Sequence, residues 1–213
     1  MNVIESLNRL LNLLEKFNHP IVNLLSPGLT REGVIQKLNF LDRDIPEIII
    51  DLFEWRQGVN YSDEKRPYMV NNLWPMGTFY SLDDCISSYK SRLGANVDPK
   101  YFPIFSNIGG DYWCLNMDDG YNSFVYLFAP QLTLSSEPMS QYDSLEKFVE
   151  SVIAALNEGI YSYDDGEWII SDNYFQFFKE LNPNSDYWDR SKRENDEDDF
   201  DEFDPEDLSD DDY

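Results

Sequence analysis

At Tyr101 the spacing of apolar residues changes. Upstream, apolar side chains recur every three or four positions. In YFPIFSNIGGDYWCLNMDDG (101–120) and the residues after it the period falls to near two, and β-favouring residues dominate. The chain therefore has to combine amphipathic helices with a β-meander. The alternation predicts strands at about 102–106, 111–117 and 122–128, joined by 106–110 and by Asp118-Asp119-Gly120. Glycine suits such connections because hairpin turns often need a positive φ.

The flanking helices carry their own start and stop signals. Val3, Ile4, Leu7, Leu10, Leu11, Leu14 and Phe17 form one face of a helix that ends near Asn18 and His19-Pro20, and this helix must dock onto something. Thr30 is placed to N-cap a short helix through Leu38. In DIPEIIIDLFEWRQG, Pro46 opens a helix and Gly58 lies just past its end, with Ile45, Ile49, Leu52 and Phe53 as its buried stripe. Ser81 with Asp84 opens a helix to about Leu93, and Asp143-Ser144-Leu145-Glu146 opens another that Gly159 closes. A small hairpin around Asp164-Asp165-Gly166 and an aromatic helix, NYFQFFKEL, precede Asn182-Pro183. From about Asp189 the sequence is almost purely acidic and lacks apolar periodicity, which predicts a disordered or loosely attached tail.

Charge narrows the function classes. Among 213 residues, 41 Asp and Glu oppose 16 Lys and Arg, a net charge of -25. The residues from Asp186 onward hold -12 of it, so body and tail are both acidic. Such a surface repels nucleic acid and anionic membranes and attracts basic partners, or simply keeps the protein soluble. The two cysteines, Cys85 and Cys114, are too few for a disulfide framework and read as buried free thiols. The N-terminus lacks a basic leader, a cleavage site and a continuous apolar run, so a cytoplasmic protein is expected.

Catalytic and metal chemistry finds little footing. Asp111, Asp118 and Asp119 lie around two turns and could in principle converge on magnesium or calcium, but no twelve-residue calcium loop is present. His19 is the only histidine, which leaves zinc sites and histidine-assisted nucleophiles without material. Gly109-Gly110 leads from strand to strand and meets Asp111, unlike a phosphate loop that runs into a helix N-terminus. Tyr101, Tyr112 and Trp113 have few cations near them for stacking on nucleic acid and are expected to pack. The expectation is a protein without catalytic residues, metal or cofactor.

The order of these elements resembles the SUKH superfamily, which includes the yeast Smi/Knr cell-wall regulators and many bacterial immunity proteins. IPEIIIDLFEWRQG is similar to a family helix end, with Trp55 and Gly58 matching. FPIFSNIGGDYWCLNM resembles the family's central hairpin, with Gly109, Gly110 and Asp111 in place, and GTFYSLDDCISSY, YDSLEKFVESVIAAL and LNPNSDYW follow in family order. Gln57 and Asn116 depart from the residues usual at their positions. The resemblance implies an α+β fold, helices packed on a mainly antiparallel sheet, over residues 26–188. It leaves 1–25 as an added helix and 189–213 as the tail.

It also implies a non-catalytic immunity protein that binds a toxin acting on nucleic acid. The alternative is a regulatory or scaffold module of the Smi/Knr type that binds basic proteins. A nuclease surface must be basic to hold phosphates, so an acidic inhibitor fits the same ground. The carboxylates expected to meet such a basic partner are Asp118 and Asp119, Asp164, Asp165 and Glu167 at two turns, and Asp196, Glu197, Asp198 and Asp199 in the tail.

Overall fold

The computed structural model describes residues 2–59, 68–93, 97–107, 109–129, 137–189 and 192; the tail carboxylates Asp196, Glu197, Asp198 and Asp199 lie outside these. In chain order the elements are α1 (Val3–Lys16), α2 (Ile21–Leu24), β1 (Leu25–Pro27), α3 (Arg31–Leu38), α4 (Glu47–Trp55), β2 (Arg56–Val59), β3 (Thr78–Phe79) and α5 (Leu82–Ser88), which runs into a π-helical turn, Tyr89–Leu93. Then come β4 (Tyr101–Ser106), β5 (Tyr112–Asn116), β6 (Val125–Phe128), β7 (Met139–Tyr142), α6 (Leu145–Asn157), β8 (Tyr161–Asp164), β9 (Glu167–Ile170) and α7 (Tyr174–Leu181). The fold is α+β. Strands β3 to β7 form one antiparallel sheet in sequence order, and β1–β2 and β8–β9 are separate two-stranded ribbons.

The expected caps are in place. Thr30 accepts from the Gly33 N–H, Ser81 from Asp84 and Ser144 from Lys147, each occupying a donor that the first helical turn leaves unpaired. The N-terminal helix docks onto α6. Leu7, Leu10 and Leu14 are fully buried, Arg9 pairs with Glu150 at 2.8 Å, and the Trp55 indole donates to Asn8 at 2.9 Å. Helix α1 thus contributes to the main core.

The sheet has two unlike faces. Phe102, Phe105, Trp113, Leu115, Val125 and Leu127 belong to the main core, whereas Tyr101, Tyr112, Cys114 and Phe128 form a smaller cluster with Val97. Strict alternation would send Phe102 and Phe105 to opposite faces. A bulge between Pro103 and Phe105 inserts Ile104 as an extra residue, so Phe102 opposes Leu115 and Phe105 opposes Trp113 on one side. Trp74 meets Phe105, Trp113 and Phe148 edge-on at centroid distances of 5.0, 5.1 and 4.7 Å, which ties the sheet to α6.

Several expectations need adjusting. The corner after β5 is longer than an Asp-Asp-Gly turn: Gly120–Asn122 form a 3-10 turn, and β6 begins only at Val125. Strands β1 and β7 and helix α2 carry no clear period in the sequence, being only three or four residues long. Helix α4 stops at Trp55, because Arg56 takes an extended conformation and pairs with Pro27. Gly58 therefore sits within a strand. Its φ of 88° lets the chain pass over the Tyr80–Ser81 backbone, where an added Cβ would lie 2.3 Å from the Tyr80 carbonyl oxygen.

Gly58→Ala should therefore lower stability by about 2–4 kcal/mol in urea denaturation, through a positive-φ penalty plus a backbone clash. Gly166→Ala has a similar φ of 89° but nothing within 4 Å of the added carbon, and it should cost only about 1 kcal/mol.

Candidate functional site

The central hairpin uses its polar residues to close itself. Asp111 takes a 2.8 Å hydrogen bond from the Asn107 side-chain amide, donates its own N–H back to Asn107 Oδ1 at 3.0 Å, and accepts at its carbonyl from the Ser106 hydroxyl. Gly110, with φ of 85°, takes the left-handed position, and Gly109 needs no positive φ. This reciprocal Asn107–Asp111 pair fixes the turn geometry, which explains Asp111 without a ligand.

Asp118 and Asp119 lie at the other end of β5, so they do not converge with Asp111 on one metal position. Asn116, noted as a departure from the family pattern, organises this corner. Its amide donates to Asp119 at 2.7 Å, its Oδ1 accepts from the Asp118 N–H at 3.1 Å, and its N–H donates to the Ser123 hydroxyl at 2.7 Å. Asp118 forms an ion pair with Arg43. The same corner meets α4, where Arg31 bridges Glu47 and Glu54 and the exposed Tyr121 hydroxyl donates to Asp51. Desolvation and that hydrogen bond to a carboxylate push Tyr121 up to about 12. The carboxylates are numerous here, but many already have partners.

Asp164, Asp165 and Glu167 are placed differently. They form the tip of the β8–β9 ribbon, whose two-residue turn has both central residues at positive φ, Asp165 at 46° and Gly166 at 89°. All three are exposed and take no ion pair or side-chain hydrogen bond among the described residues. Next to them Ile169 is 54% and Ile170 40% exposed, the only consecutive pair among the exposed large apolar residues described. Sequence reasoning found the hairpin and its carboxylates but missed these isoleucines. The available signal was EWII itself, in which apolar residues occupy both faces of a short strand. The hairpin packs against α6, whereas the Gly120–Asn122 turn that follows Asp118–Asp119 packs against α4.

The ribbon is anchored by the one histidine. His19 lies in the connection between α1 and α2, as expected, and is nevertheless only 2% exposed. Its ring lies 3.9 Å from the Tyr163 ring centroid and 4.9 Å from that of Trp168, and its Nδ1 accepts from the Ile21 N–H at 3.1 Å. Nε2 has no hydrogen-bond partner among the described residues. Nδ1 as acceptor requires the proton on Nε2, and a second proton would face the Ile21 donor. Burial lowers the pKa to about 4.

The remaining reactive groups are withdrawn. Cys85 and Cys114 are fully buried and unpaired, and burial pushes both thiols up, away from the thiolate that attack requires. An open recess of about 400 Å³ lies beside β7, lined by Glu137, Pro138, Met139, Asp186 and Lys192, with Lys192 paired to Asp186 at 2.5 Å. Among the described residues, no group of three or more His, Cys, Asp or Glu is arranged to hold a metal ion, and no helix is long and apolar enough to cross a membrane.

The His19 geometry has a pH consequence. Above pH 6.5 the ring is neutral in both the folded and unfolded chain and adds no pH dependence. Below 6.5 the unfolded chain takes up the proton first, so stability falls until the folded state also protonates near pH 4, a loss of roughly 3 kcal/mol. The stability gap between the native protein and His19→Gln should narrow by that order between pH 7 and pH 4 in denaturation curves; a gap independent of pH would contradict it. In the comparisons with known proteins, no protein-family model and no curated protein matches this chain.

Proposed function

We propose that this protein is a non-catalytic binder of a basic protein, acting in the cytoplasm as an immunity protein that covers the substrate surface of a nucleic-acid-targeting toxin. The observation that carries this reading is the charge: -25 overall, with carboxylates on exposed turns such as Asp164, Asp165 and Glu167 that pair with no cation among the described residues. A partner that supplies Lys and Arg gains long-range attraction and orientation from such a field. The resemblance of the IPEIIIDLFEWRQG and FPIFSNIGGDYWCLNM stretches to the SUKH superfamily adds the toxin as the specific partner. Buried, unpaired Cys85 and Cys114 suit a reducing compartment.

The reading is tested by co-expressing the chain with toxin domains encoded beside it. Growth rescue together with stoichiometric co-purification is expected. Failure to rescue any neighbouring domain would overturn the toxin assignment, and co-purification with a basic protein that is not toxic would favour the regulatory module.

A further inference from the structure

The two long-sheet edges and the ribbon edge are treated differently by the fold. At the β7 edge the closing segment docks: the Tyr187 N–H donates to the Ser140 carbonyl at 2.9 Å, the Asp186 N–H to the Ser140 hydroxyl at 2.9 Å, and the Trp188 indole to the Gln141 carbonyl. At the other edge β3 is only two residues long. Among the described residues strand β9 pairs with β8 alone, and the 3-10 turn Tyr68–Asn71 packs near it without adding a strand to the ribbon.

The register identifies which of its backbone groups are free. In a two-residue hairpin the residues flanking the turn, here Asp164 and Glu167, are a hydrogen-bonded pair, and hydrogen-bonded pairs then alternate along the ribbon. Ser162 and Ile169 are the next such pair, and the 2.9 Å bond from the Ser171 N–H to the Ile160 carbonyl continues the series. Trp168 and Ile170 therefore aim their N–H and C=O groups away from β8. Ile169 and Ile170 point to opposite faces, as successive strand residues must, yet both are substantially exposed, as an open edge permits. Around them, Asp164, Asp165, Glu167 and Asp172 are exposed and have no ion-pair partner among the described residues.

We propose that the open edge of β9 receives an extended segment of the basic protein partner as a third strand, with Ile169 and Ile170 as apolar contacts and the surrounding carboxylates matching its Lys and Arg. This rests on the reading of the protein as a binder of basic proteins and specifies where that partner docks. Main-chain hydrogen bonds supply affinity in such strand addition, and side chains on alternate faces supply selectivity. A second copy of this chain is a poor occupant, because each ribbon would bring its own four carboxylates against those of the other.

The test uses the full chain, labelled with 15N, and a short peptide of alternating Val and Lys as probe, with the Val-Glu peptide as control. The Val-Lys peptide is expected to shift the amides of residues 167–171 and to slow solvent exchange at Trp168 and Ile170 by about tenfold or more. The Val-Glu peptide should do neither. Ile170→Pro removes only an outward N–H and should abolish the effect with the β8–β9 ladder intact; Ile169→Lys, which leaves the backbone untouched, should weaken it about tenfold. Shifts centred on Asp118–Tyr121, or equal response to both peptides, would overturn the proposal. A second arm uses the toxin domain found by rescue. If it binds but protects a surface other than β9, the docking site is wrong and the immunity reading stands; if no neighbouring domain is rescued, that reading fails while the peptide arm still decides the edge.

Discussion

Everything in this fold hangs on how four aromatic side chains from four separate segments meet. Trp74 precedes β3, Phe105 and Trp113 lie on β4 and β5, and Phe148 lies on α6, and all pack at centroid distances of about 5 Å. Rings of this size bury large apolar areas and prefer edge-on contact, so the cluster sets both the distance and the angle between helix and sheet. The bulge at Ile104 is the local device that makes it possible, since without it Phe102 and Phe105 could not share a face. With the sheet fixed, α1 closes over α6, and Trp188 packs against Tyr142 and Phe178 at the far side.

The sequence made this architecture legible wherever a period ran long enough. The faces of α1 and α6 were readable from their leucines, valines and isoleucines, and the cap residues Thr30, Ser81 and Ser144 marked true helix starts. Strands β4, β5 and β6 followed from alternation. What escaped was short or non-local. Strands β1 and β7 exist because distant partners pair with them, and Gly58 is explained by the Tyr80–Ser81 backbone more than twenty positions on. The burial of the loop residue His19 likewise escaped, because nothing near it in sequence announces that Tyr163 and Trp168 will enclose it.

The candidate site was legible in its charges and illegible in its shape. The acidic residues singled out in the sequence divide, once placed, into two kinds. Asp111, Asp118 and Asp119 hold turns and pairs together, whereas Asp164, Asp165 and Glu167 project from a ribbon tip and pair with no cation among the described residues. Only packing could separate these, because hydrogen-bond partners such as Asn107 and Arg43 are not implied by the carboxylates' own neighbours. The exposed isoleucines of β9 make the second kind the more informative, since apolar area beside unpaired charge is how a protein surface presents both affinity and orientation to a partner.

The proposed function has the protein act by electrostatic attraction followed by contact, with no bond made or broken. The most direct check of that proposal is the ionic-strength dependence of association with a toxin domain against which co-expression restores growth. The association rate should fall about tenfold or more from low to physiological salt while the dissociation rate changes little. An association rate indifferent to salt would contradict it.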